Sequence, residues 1–399
     1  MNHPAFTERM KLLARLYRMG ALVLLNTVAF LVAVNALAWL LDRATSPPPG
    51  DVIIRKHGLE ALRPVYPGYD ETQIRALHGE MWGRSLAYEP QTDFKEPATT
   101  GKYVNVSPDG FRKHWGGPVW PAPTNGLVVF CFGGSTTFGY GVADDVTIPA
   151  RLQARLKNTG NGSRPVMVYN FGRGYYTSTQ ERILFQKLIA SRDLPHIAVF
   201  LDGINESVFP TDHSALFTVL DQAVQHMNSG PTVGGLVAGL PVAQWAARRW
   251  PRVDVAFAEA QRQALRRQLS DGVALSDSNA AELICRRYLD NIRMVNSVAK
   301  EFQVRPLFVW QPALSYNPPQ QSITAGVIPE EYRMSAMVYR RMSELRQLNN
   351  PQGNFLWLAD LHAGRAGPLY VDAFHYTADF CDAIAGQIQE RIKALGWLE

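Results

Sequence analysis

The segment Leu127–Gly139 constrains the fold of this chain more than any other. Its first six residues are all apolar, too few for a helix of their own, and they end abruptly at Gly133 and Gly134. A short apolar run that stops at a Gly-Gly turn is typical of a buried parallel strand. Ser135 then lies at the carboxyl end of that strand, where open α/β sheets hold their functional groups.

Further strand patterns follow and alternate with helical ones. The predicted strands are 127–132, 165–170, 196–201, 304–310 and 354–358. The predicted helices are 147–158, 178–191, 279–302, 330–348 and 377–395. The second of these opens with a capping-box spacing, from Ser178 to Glu181. Strands that alternate with helices form a parallel sheet that is covered on both faces by right-handed crossovers. The sequence therefore predicts an α/β protein, a three-layer α/β/α sandwich with a five-stranded parallel sheet.

An apolar run, 19–41, precedes this region and contains no charged residue. About 20 apolar residues suffice for one transmembrane helix. The first 20 residues carry +3 of the net charge of +5, which favours a cytoplasmic N-terminus and argues against a nucleic-acid partner. A cleaved signal peptide is the alternative, but its apolar core is shorter, about 7–15 residues. We expect a single-pass membrane protein with its main domain outside the cytoplasm, periplasmic in a Gram-negative cell.

These patterns divide the chain into a basic cytoplasmic tail, a membrane helix, a Pro-rich linker, a loop-rich lead-in that packs on the main domain, and the main domain. The respective ranges are 1–18, 19–41, 42–50, 51–126 and 127–399. An excursion at about 210–280 exceeds what one crossover helix needs. It carries an apolar Gly-rich run and an arginine-rich helix. The excursion is either a solvated surface segment, or a lid or a surface for an anionic partner.

The three cysteines do not form a disulfide framework, and no spacing resembles a zinc site. These cysteines are Cys131, Cys285 and Cys381. We expect them to be buried as small apolar residues. We expect no metal and no cofactor.

Polar groups follow the ends of the other predicted strands. The segment 170–178 offers backbone N–H groups at a glycine-containing turn, and Asn205 follows the third strand. Asp372 and His375 lie just before the last helix, at a spacing that lets a carboxylate hold one imidazole nitrogen while the other points away. A serine nucleophile needs such a base, an orienting acid and donors for the oxyanion. Asp360-Leu361-His362 is a second Asp-His pair nearby, which we interpret as a decoy.

In this order the segments resemble the sequence blocks of the SGNH hydrolase superfamily, the GDSL-like esterases and lipases. Gly133–Gly139 is similar to the first block, which implies that Ser135 is the nucleophile and one oxyanion donor. The segment 170–178 is similar to the second block, which supplies another backbone N–H to the oxyanion. Counting from its first residue places Tyr175, not a glycine, at the usual donor position, with Gly174 one residue earlier.

The third and fifth blocks complete the resemblance. Asn205 matches the oxyanion asparagine, and Asp372 with His375 matches the orienting acid and the base. Besides Tyr175, two positions depart from the usual pattern, because Gly134 and Glu206 each stand where the family usually has aspartate. The resemblance implies a flavodoxin-like sheet and a membrane-anchored bacterial member of the family.

The implied activity is hydrolysis of acetyl or other short acyl esters by a triad of Ser135, His375 and Asp372. Acylated glycans are among the substrates that this implies. Thr137 lies where the α/β-hydrolase elbow needs glycine, which argues against that fold. Two alternatives stay open: an acyltransferase that passes the acyl group to a polysaccharide through the same triad, and a non-catalytic binding module.

Overall fold

The computed structural model describes residues 4–45, 50–123, 125–158, 165–208, 240–249, 277–318, 333–346 and 353–398. The described residues of 4–45 and 240–249 form one compact unit, and the remaining described residues form a second unit.

Helices and strands are numbered here in chain order. The α-helices α1 to α12 are Pro4–Thr45, Val52–His57, Leu59–Leu62, Glu71–Trp82, Ser135–Phe138, Ile148–Lys157, Ser178–Ala190, Ile204–Val208, Pro241–Arg249, Asp277–Glu301, Arg333–Leu345 and Ala378–Ala394. The strands β1 to β7 are Ala87–Glu89, Asp93–Lys95, Leu127–Gly133, Val166–Asn170, Ile197–Asp202, Arg305–Trp310 and Phe355–Trp357. Short 3₁₀ helices cover Arg63–Val65 and Asp144–Val146.

Strands β3 to β7 form a parallel sheet in the spatial order β4-β3-β5-β6-β7. Every residue of β3 and β5 is buried, which explains their almost continuous apolar sequence. Numbered within this sheet alone, the order is 2-1-3-4-5, the flavodoxin-like order. In such sheets the winding reverses between the first and third strands, and the functional crevice lies at their carboxyl ends. The predicted five-stranded parallel sheet is confirmed.

Helices cover both faces of the sheet. The crossovers through α6 and α7 leave β3 and β4 in opposite directions along the sheet, so right-handed connections place these helices on opposite faces. Helix α6 packs against α12, and α10 packs against α7 and α11. The predicted α/β/α layers are therefore confirmed.

A row of aromatic rings crosses the sheet just below its carboxyl edge. Phe132 of β3 stacks on Phe171 at 5.9 Å and on Phe200 of β5 at 4.9 Å, and Phe200 stacks on Phe308 of β6 at 5.4 Å. All four rings are buried, and full burial of such a side chain contributes about 2 kcal/mol to stability. The carboxyl edge of the sheet therefore rests on a closely packed layer.

Helix α7 begins one residue from where its sequence pattern placed the cap. A capping box between Ser178 and Glu181 was expected, but the N-cap is Thr177. The Thr177 backbone N–H donates to Gln180 Oε1 at 3.0 Å. Glu181 is instead buried inside the second unit, with 1% of its surface exposed.

The lead-in contains more helix than the sequence predicts. In α4 the Asp70 carboxylate accepts the Gln73 N–H at 2.8 Å, and the Gln73 side chain accepts the Asp70 N–H at 2.9 Å. This reciprocal capping box stabilises the start of the helix. The buried face of α4 belongs to an apolar cluster with Phe138 of α5 and Val371. These two residues adjoin the segments that carry Ser135 and Asp372.

Arg112 binds the lead-in to the region after α5. Its guanidinium is buried and forms an ion pair with Asp144 at 2.7 Å. It also donates to the carbonyl oxygens of Phe138, Gly139 and Val142 at 2.8 to 2.9 Å. Removing one partner of a buried ion pair of this kind strongly destabilises the folded protein.

The first unit contains α1 and α9. By length and composition α1 is able to cross a membrane, a property that a signal sequence near the N-terminus shares. The Val242 backbone N–H of α9 donates to Asn35 Oδ1 of α1 at 3.2 Å, and Ala38 is buried. The remaining residues of the predicted excursion up to Ser276, including its Gly-rich run up to Gly239 and the arginines after Arg249, lie outside the described residues.

Candidate active site

Ser135 follows β3 at the carboxyl edge of the sheet and begins the short helix α5. Backbone hydrogen bonds fix the turn, since the Phe138 N–H donates to the Gly134 carbonyl at 3.0 Å and the Gly139 N–H donates to the Ser135 carbonyl at 2.9 Å. The Ser135 residue is half-buried. The turn therefore places a serine hydroxyl where the flavodoxin-like sheet opens.

Ser135, His375 and Asp372 form one hydrogen-bonded chain. The Ser135 hydroxyl oxygen lies 2.9 Å from His375 Nε2, and His375 Nδ1 lies 2.7 Å from Asp372 Oδ2. With Asp372 ionised, Nδ1 carries the proton and Nε2 is free to accept the serine proton. The serine and the histidine are 240 positions apart in sequence, so the fold brings together the three residues that the sequence predicted as a triad.

Asp372 is held as a carboxylate. Burial alone would raise its pKa, but the adjacent His375 and the hydrogen bonds that the carboxylate accepts lower the pKa to about 2. Two of these bonds come from the backbone N–H groups of Phe374 and His375, each at 2.8 Å. Hydrogen bonds to the charged form stabilise it, so Asp372 orients the imidazole as an anion at neutral pH.

Asn205 lies directly beside the turn that carries the serine. Its side-chain N–H donates to the Tyr176 carbonyl at 2.6 Å. A Cβ added to Gly134 would lie 2.3 Å from Asn205 Nδ2. The close approach of the amide therefore requires glycine at position 134, where the resembled family usually has aspartate.

The loop after β4 reaches the same turn. A Cβ on Gly172 would lie 2.3 Å from the Phe138 backbone nitrogen, so this loop packs directly on α5. Tyr175 has a φ of 63°, in the left-handed region that favours glycine. By the count along the second sequence block, this is the position at which a glycine that donates to the oxyanion was expected. Gly174, the other candidate donor, directs its N–H to Glu96 Oε1 at 3.2 Å.

A group of buried carboxylates lies behind Asn205. Glu206 accepts the backbone N–H groups of Ser178 at 2.6 Å and Gly203 at 2.8 Å, and so joins the loops that follow β4 and β5. Burial, and then the neighbouring acidic groups, raise the pKa of Glu181 well above its usual value, and the same two causes raise the pKa of Asp202. Glu206 itself ties the backbone after β4 to the turn that carries Asn205.

Aromatic rings surround the His375 imidazole. The Tyr140 ring stacks on His375 with 5.4 Å between centroids and an angle of 20°. Trp82, at the end of α4, meets the same imidazole nearly edge-on at 6.1 Å and meets Tyr140 at 6.0 Å. Only 9% of the His375 surface is exposed. The imidazole is thus enclosed by one residue from the lead-in and one from the loop after α5.

Glu96 brings the lead-in into contact with both halves of the site. Its Oε1 accepts the Tyr140 hydroxyl at 3.0 Å and the Gly174 N–H at 3.2 Å. Its Oε2 pairs with Arg84 Nη1 at 3.2 Å, and both side chains are at least nine-tenths buried. Sequence reasoning missed Trp82, Arg84, Glu96 and Tyr140. Of these, only Tyr140 carried a local signal, because it follows the serine turn directly.

Gln311, at the end of β6, is a further residue that the sequence analysis missed. Its side-chain oxygen accepts a hydrogen bond from Thr136 at 2.7 Å and lies 3.1 Å from the Tyr376 hydroxyl, which donates to the Pro312 carbonyl at 2.6 Å. Thr136 and Tyr376 adjoin Ser135 and His375. Gln311 therefore contacts the sequence neighbours of both residues at one strand end.

In the second Asp-His pair, the two side chains have separate hydrogen-bond partners. His362 is fully buried, and its two ring nitrogens contact the Tyr370 hydroxyl at 2.6 Å and the Tyr316 carbonyl at 2.9 Å. Asp360 accepts instead from Asn317 and Trp357, each at 2.7 Å. The three predicted buried cysteines are buried as well.

Comparison with family models and with curated proteins finds no match for this chain. Among solved structures it is similar to a member of the lipolytic protein G-D-S-L family from Veillonella parvula, with 10% identity, a TM-score of 0.35, and coverage of 66% of this chain and 96% of the other. It is also similar to the psychrotrophic esterase EstA from Pseudoalteromonas sp., with 11% identity, a TM-score of 0.36, and coverage of 67% and 97%. A third is Est24, a carbohydrate acetylesterase from Sinorhizobium meliloti, with 11% identity, a TM-score of 0.34, and coverage of 67% and 99%. Similarity at this level carries no argument about function. The functional argument rests on the site itself.

Proposed function

We propose that this protein is a serine esterase that hydrolyses acetyl or other short acyl esters. The single observation that carries the proposal is the unbroken chain from Ser135 Oγ through the His375 imidazole to Asp372, with distances of 2.9 and 2.7 Å. Its position at the carboxyl edge, beside the point where the sheet reverses its winding, is where open α/β sheets bind ligands. A structural role for all three residues would not require this alignment.

In the proposed reaction Ser135 Oγ bonds to the ester carbonyl carbon while His375 Nε2 takes the hydroxyl proton. The carbonyl electron pair moves to oxygen, and the resulting oxyanion is stabilised by the backbone N–H groups of Ser135 and Tyr175 and by the Asn205 amide. The alcohol then leaves with the proton from His375. Water attacks the acyl-serine in the same manner and releases the acid.

The proposed preference for acetyl and other short acyl groups is drawn from the sequence, in which no long apolar acyl groove can be read. Acetylated polysaccharides are included in the proposal as substrates.

We further propose that α1 is a retained membrane anchor with the catalytic unit outside the cytoplasm. Basic residues precede the apolar run, which favours a cytoplasmic N-terminus. The hydrogen bond from Val242 to Asn35 joins α1 to a segment about two hundred positions downstream. A helix that contacts the mature chain in this way has a structural partner, which a removed signal sequence lacks.

The test combines activity-based labelling with a series of esters. The full chain in detergent should react with a fluorophosphonate probe at Ser135 and hydrolyse p-nitrophenyl acetate faster than the octanoate. Ser135→Ala should abolish both, while the exposed Ser191→Ala should change neither. A chain that neither reacts with the probe nor hydrolyses any ester would be a binding module. Acyl transfer to an added glycan that outruns hydrolysis would identify an acyltransferase.

A further inference from the structure

Glu96 is a buried carboxylate that contacts no residue of the triad, yet it joins the two parts of the site that must stay aligned. One of its oxygen atoms accepts from the Tyr140 hydroxyl, whose ring stacks on His375. The same atom accepts from the Gly174 N–H, directly before the proposed oxyanion donor Tyr175. The imidazole and the oxyanion loop are therefore connected through a single carboxylate oxygen.

The protonation states suit this connection. Burial, and next the charge of Glu96, raise the pKa of the Tyr140 hydroxyl well above its usual value, so the hydroxyl remains a donor. A carboxylate accepts such bonds more strongly than a neutral group does. The connection is therefore built from a charge-assisted acceptor and a donor that does not ionise near neutral pH.

The charge of Glu96 is balanced where it would otherwise oppose catalysis. An isolated buried carboxylate is costly, and a negative charge beside a developing oxyanion would raise the energy of the transition state. Arg84 pairs with Glu96 at 3.2 Å and also lies over the Phe138 ring at 5.0 Å. Both charged residues come from the lead-in, while Phe138 belongs to the nucleophile's own helix.

We propose that Glu96 is a positioning residue of the active site, and that the lead-in is therefore a functional part of the esterase. Glu96 holds Tyr140 against the imidazole of His375, and it holds the Gly174-Tyr175 backbone at the oxyanion position. This inference rests on the proposed esterase function. It assigns Glu96 no contact with substrate.

The experiment compares Glu96→Ala, Glu96→Gln, Tyr140→Phe and the double variant Glu96→Ala/Tyr140→Phe in the full chain, with p-nitrophenyl acetate as substrate. Misplacement of catalytic groups by about 1 Å can cost about 100-fold in rate. We expect Glu96→Ala to lower kcat by 10-fold to about 100-fold with KM nearly unchanged. Glu96→Gln retains an acceptor oxygen and should recover much of the loss. The double variant should be no slower than Glu96→Ala, because residues that act through one link are not additive.

Glu80→Ala is the matched control. Glu80 is also a lead-in glutamate and accepts the backbone N–H groups of Lys102, Tyr103 and Val104 at 2.7 to 3.0 Å. Its loss should lower the melting temperature without lowering kcat. Equal losses of kcat in Glu80→Ala and Glu96→Ala would show a merely structural role and overturn the proposal.

Two further results would also overturn it. One is a folded Glu96→Ala variant with wild-type kcat. The other is a double variant whose loss of kcat equals the product of the losses in Glu96→Ala and Tyr140→Phe. Should Glu96→Ala fail to fold, a wild-type kcat in Tyr140→Phe would be decisive against the link. The two proposals remain distinguishable. If the wild-type protein is labelled at Ser135 and Glu96→Ala keeps the wild-type kcat, only the positioning role is refuted. Wild-type protein that neither labels nor hydrolyses esters refutes both.

Discussion

Asp372 binds His375 through both of its oxygen atoms. Oδ2 accepts from the imidazole Nδ1 at 2.7 Å, and Oδ1 accepts from the His375 backbone N–H at 2.8 Å. The carboxylate therefore fixes the backbone and the ring of the same residue. Because the spacing is only three residues, the turn itself defines where Nε2 points.

Replacing Asp372 by asparagine should leave this turn largely intact and remove the ring acceptor. The amide favours the wrong tautomer of His375, so kcat should fall by about 10⁴-fold, as it does when the acid of such triads is neutralised. The measurement is kcat and KM for p-nitrophenyl acetate. Asp360→Asn, in the structural Asp-His pair, is the control and should keep its activity. A loss below tenfold for Asp372→Asn would contradict the assigned role.

The buried carboxylates behind Asn205 predict an unusual pH dependence of stability. The pKa values of Glu181 and Asp202 are raised in the folded state. Their contribution to stability is therefore complete below the ordinary carboxyl pKa of about 4 and is lost as the pH rises toward the raised folded values. Glu181→Gln should remove part of this loss of stability at high pH. The urea concentration at the midpoint of unfolding should therefore rise more at pH 8 than at pH 5. Equal shifts at both pH values would argue against a protonated carboxyl.

Gly134→Ala tests the packing of the oxyanion amide. The backbone at Gly134 has a φ of −78°, which alanine adopts readily, so the added methyl acts only through its contacts. It would meet Asn205 Nδ2 at 2.3 Å and displace the amide. We expect kcat to fall by about 100-fold, the cost of losing one oxyanion donor. The double variant with Asn205→Ala should be no worse than Asn205→Ala alone, and independent effects would show that the methyl acts elsewhere.

The main sheet was predictable from sequence because buried parallel strands carry a strong local signal. The strand from Leu127 is apolar throughout and ends in two glycines, and the ends of the other four strands lie within one residue of their predicted positions. Ser135, Asp372 and His375 were also expected from sequence to lie together, and the structure joins them by hydrogen bonds. Their order along the chain and their resemblance to known sequence blocks carried that expectation.

The lead-in's part in the site was not predictable, since it depends on packing between distant segments. Glu96 lies in an ordinary polar stretch, and its partners Tyr140 and Gly174 are 44 and 78 positions away. The capping box of α7 was misplaced by one residue for a local reason. Thr177 and Ser178 are both residue types that cap helices well, and the N-cap in the structure is Thr177, while Glu181 is buried.

Tyr175 offers a test of the backbone at the proposed oxyanion donor. A non-glycine residue in the left-handed region costs about 1 kcal/mol or more, and Tyr175 has a φ of 63°. Tyr175→Gly keeps the N–H and relieves the strain, so kcat should stay within about threefold of wild type. Tyr175→Val should lower kcat by about tenfold or more, because branched side chains resist this conformation. Equal kcat values for the two variants would show that the backbone conformation at this position does not matter.

Membrane retention of α1 is tested by placing different epitope tags at the two ends of the chain. We expect both tags on one full-length band that resists alkaline carbonate extraction. Phe30→Arg places a charge in the middle of the apolar run at a cost of about 3 kcal/mol, and it should reduce the membrane-bound fraction. Tyr17→Arg, before the run, is the matched control and should remain membrane-bound. A carbonate-soluble band that has lost the N-terminal tag would show instead that α1 is a signal sequence that is removed.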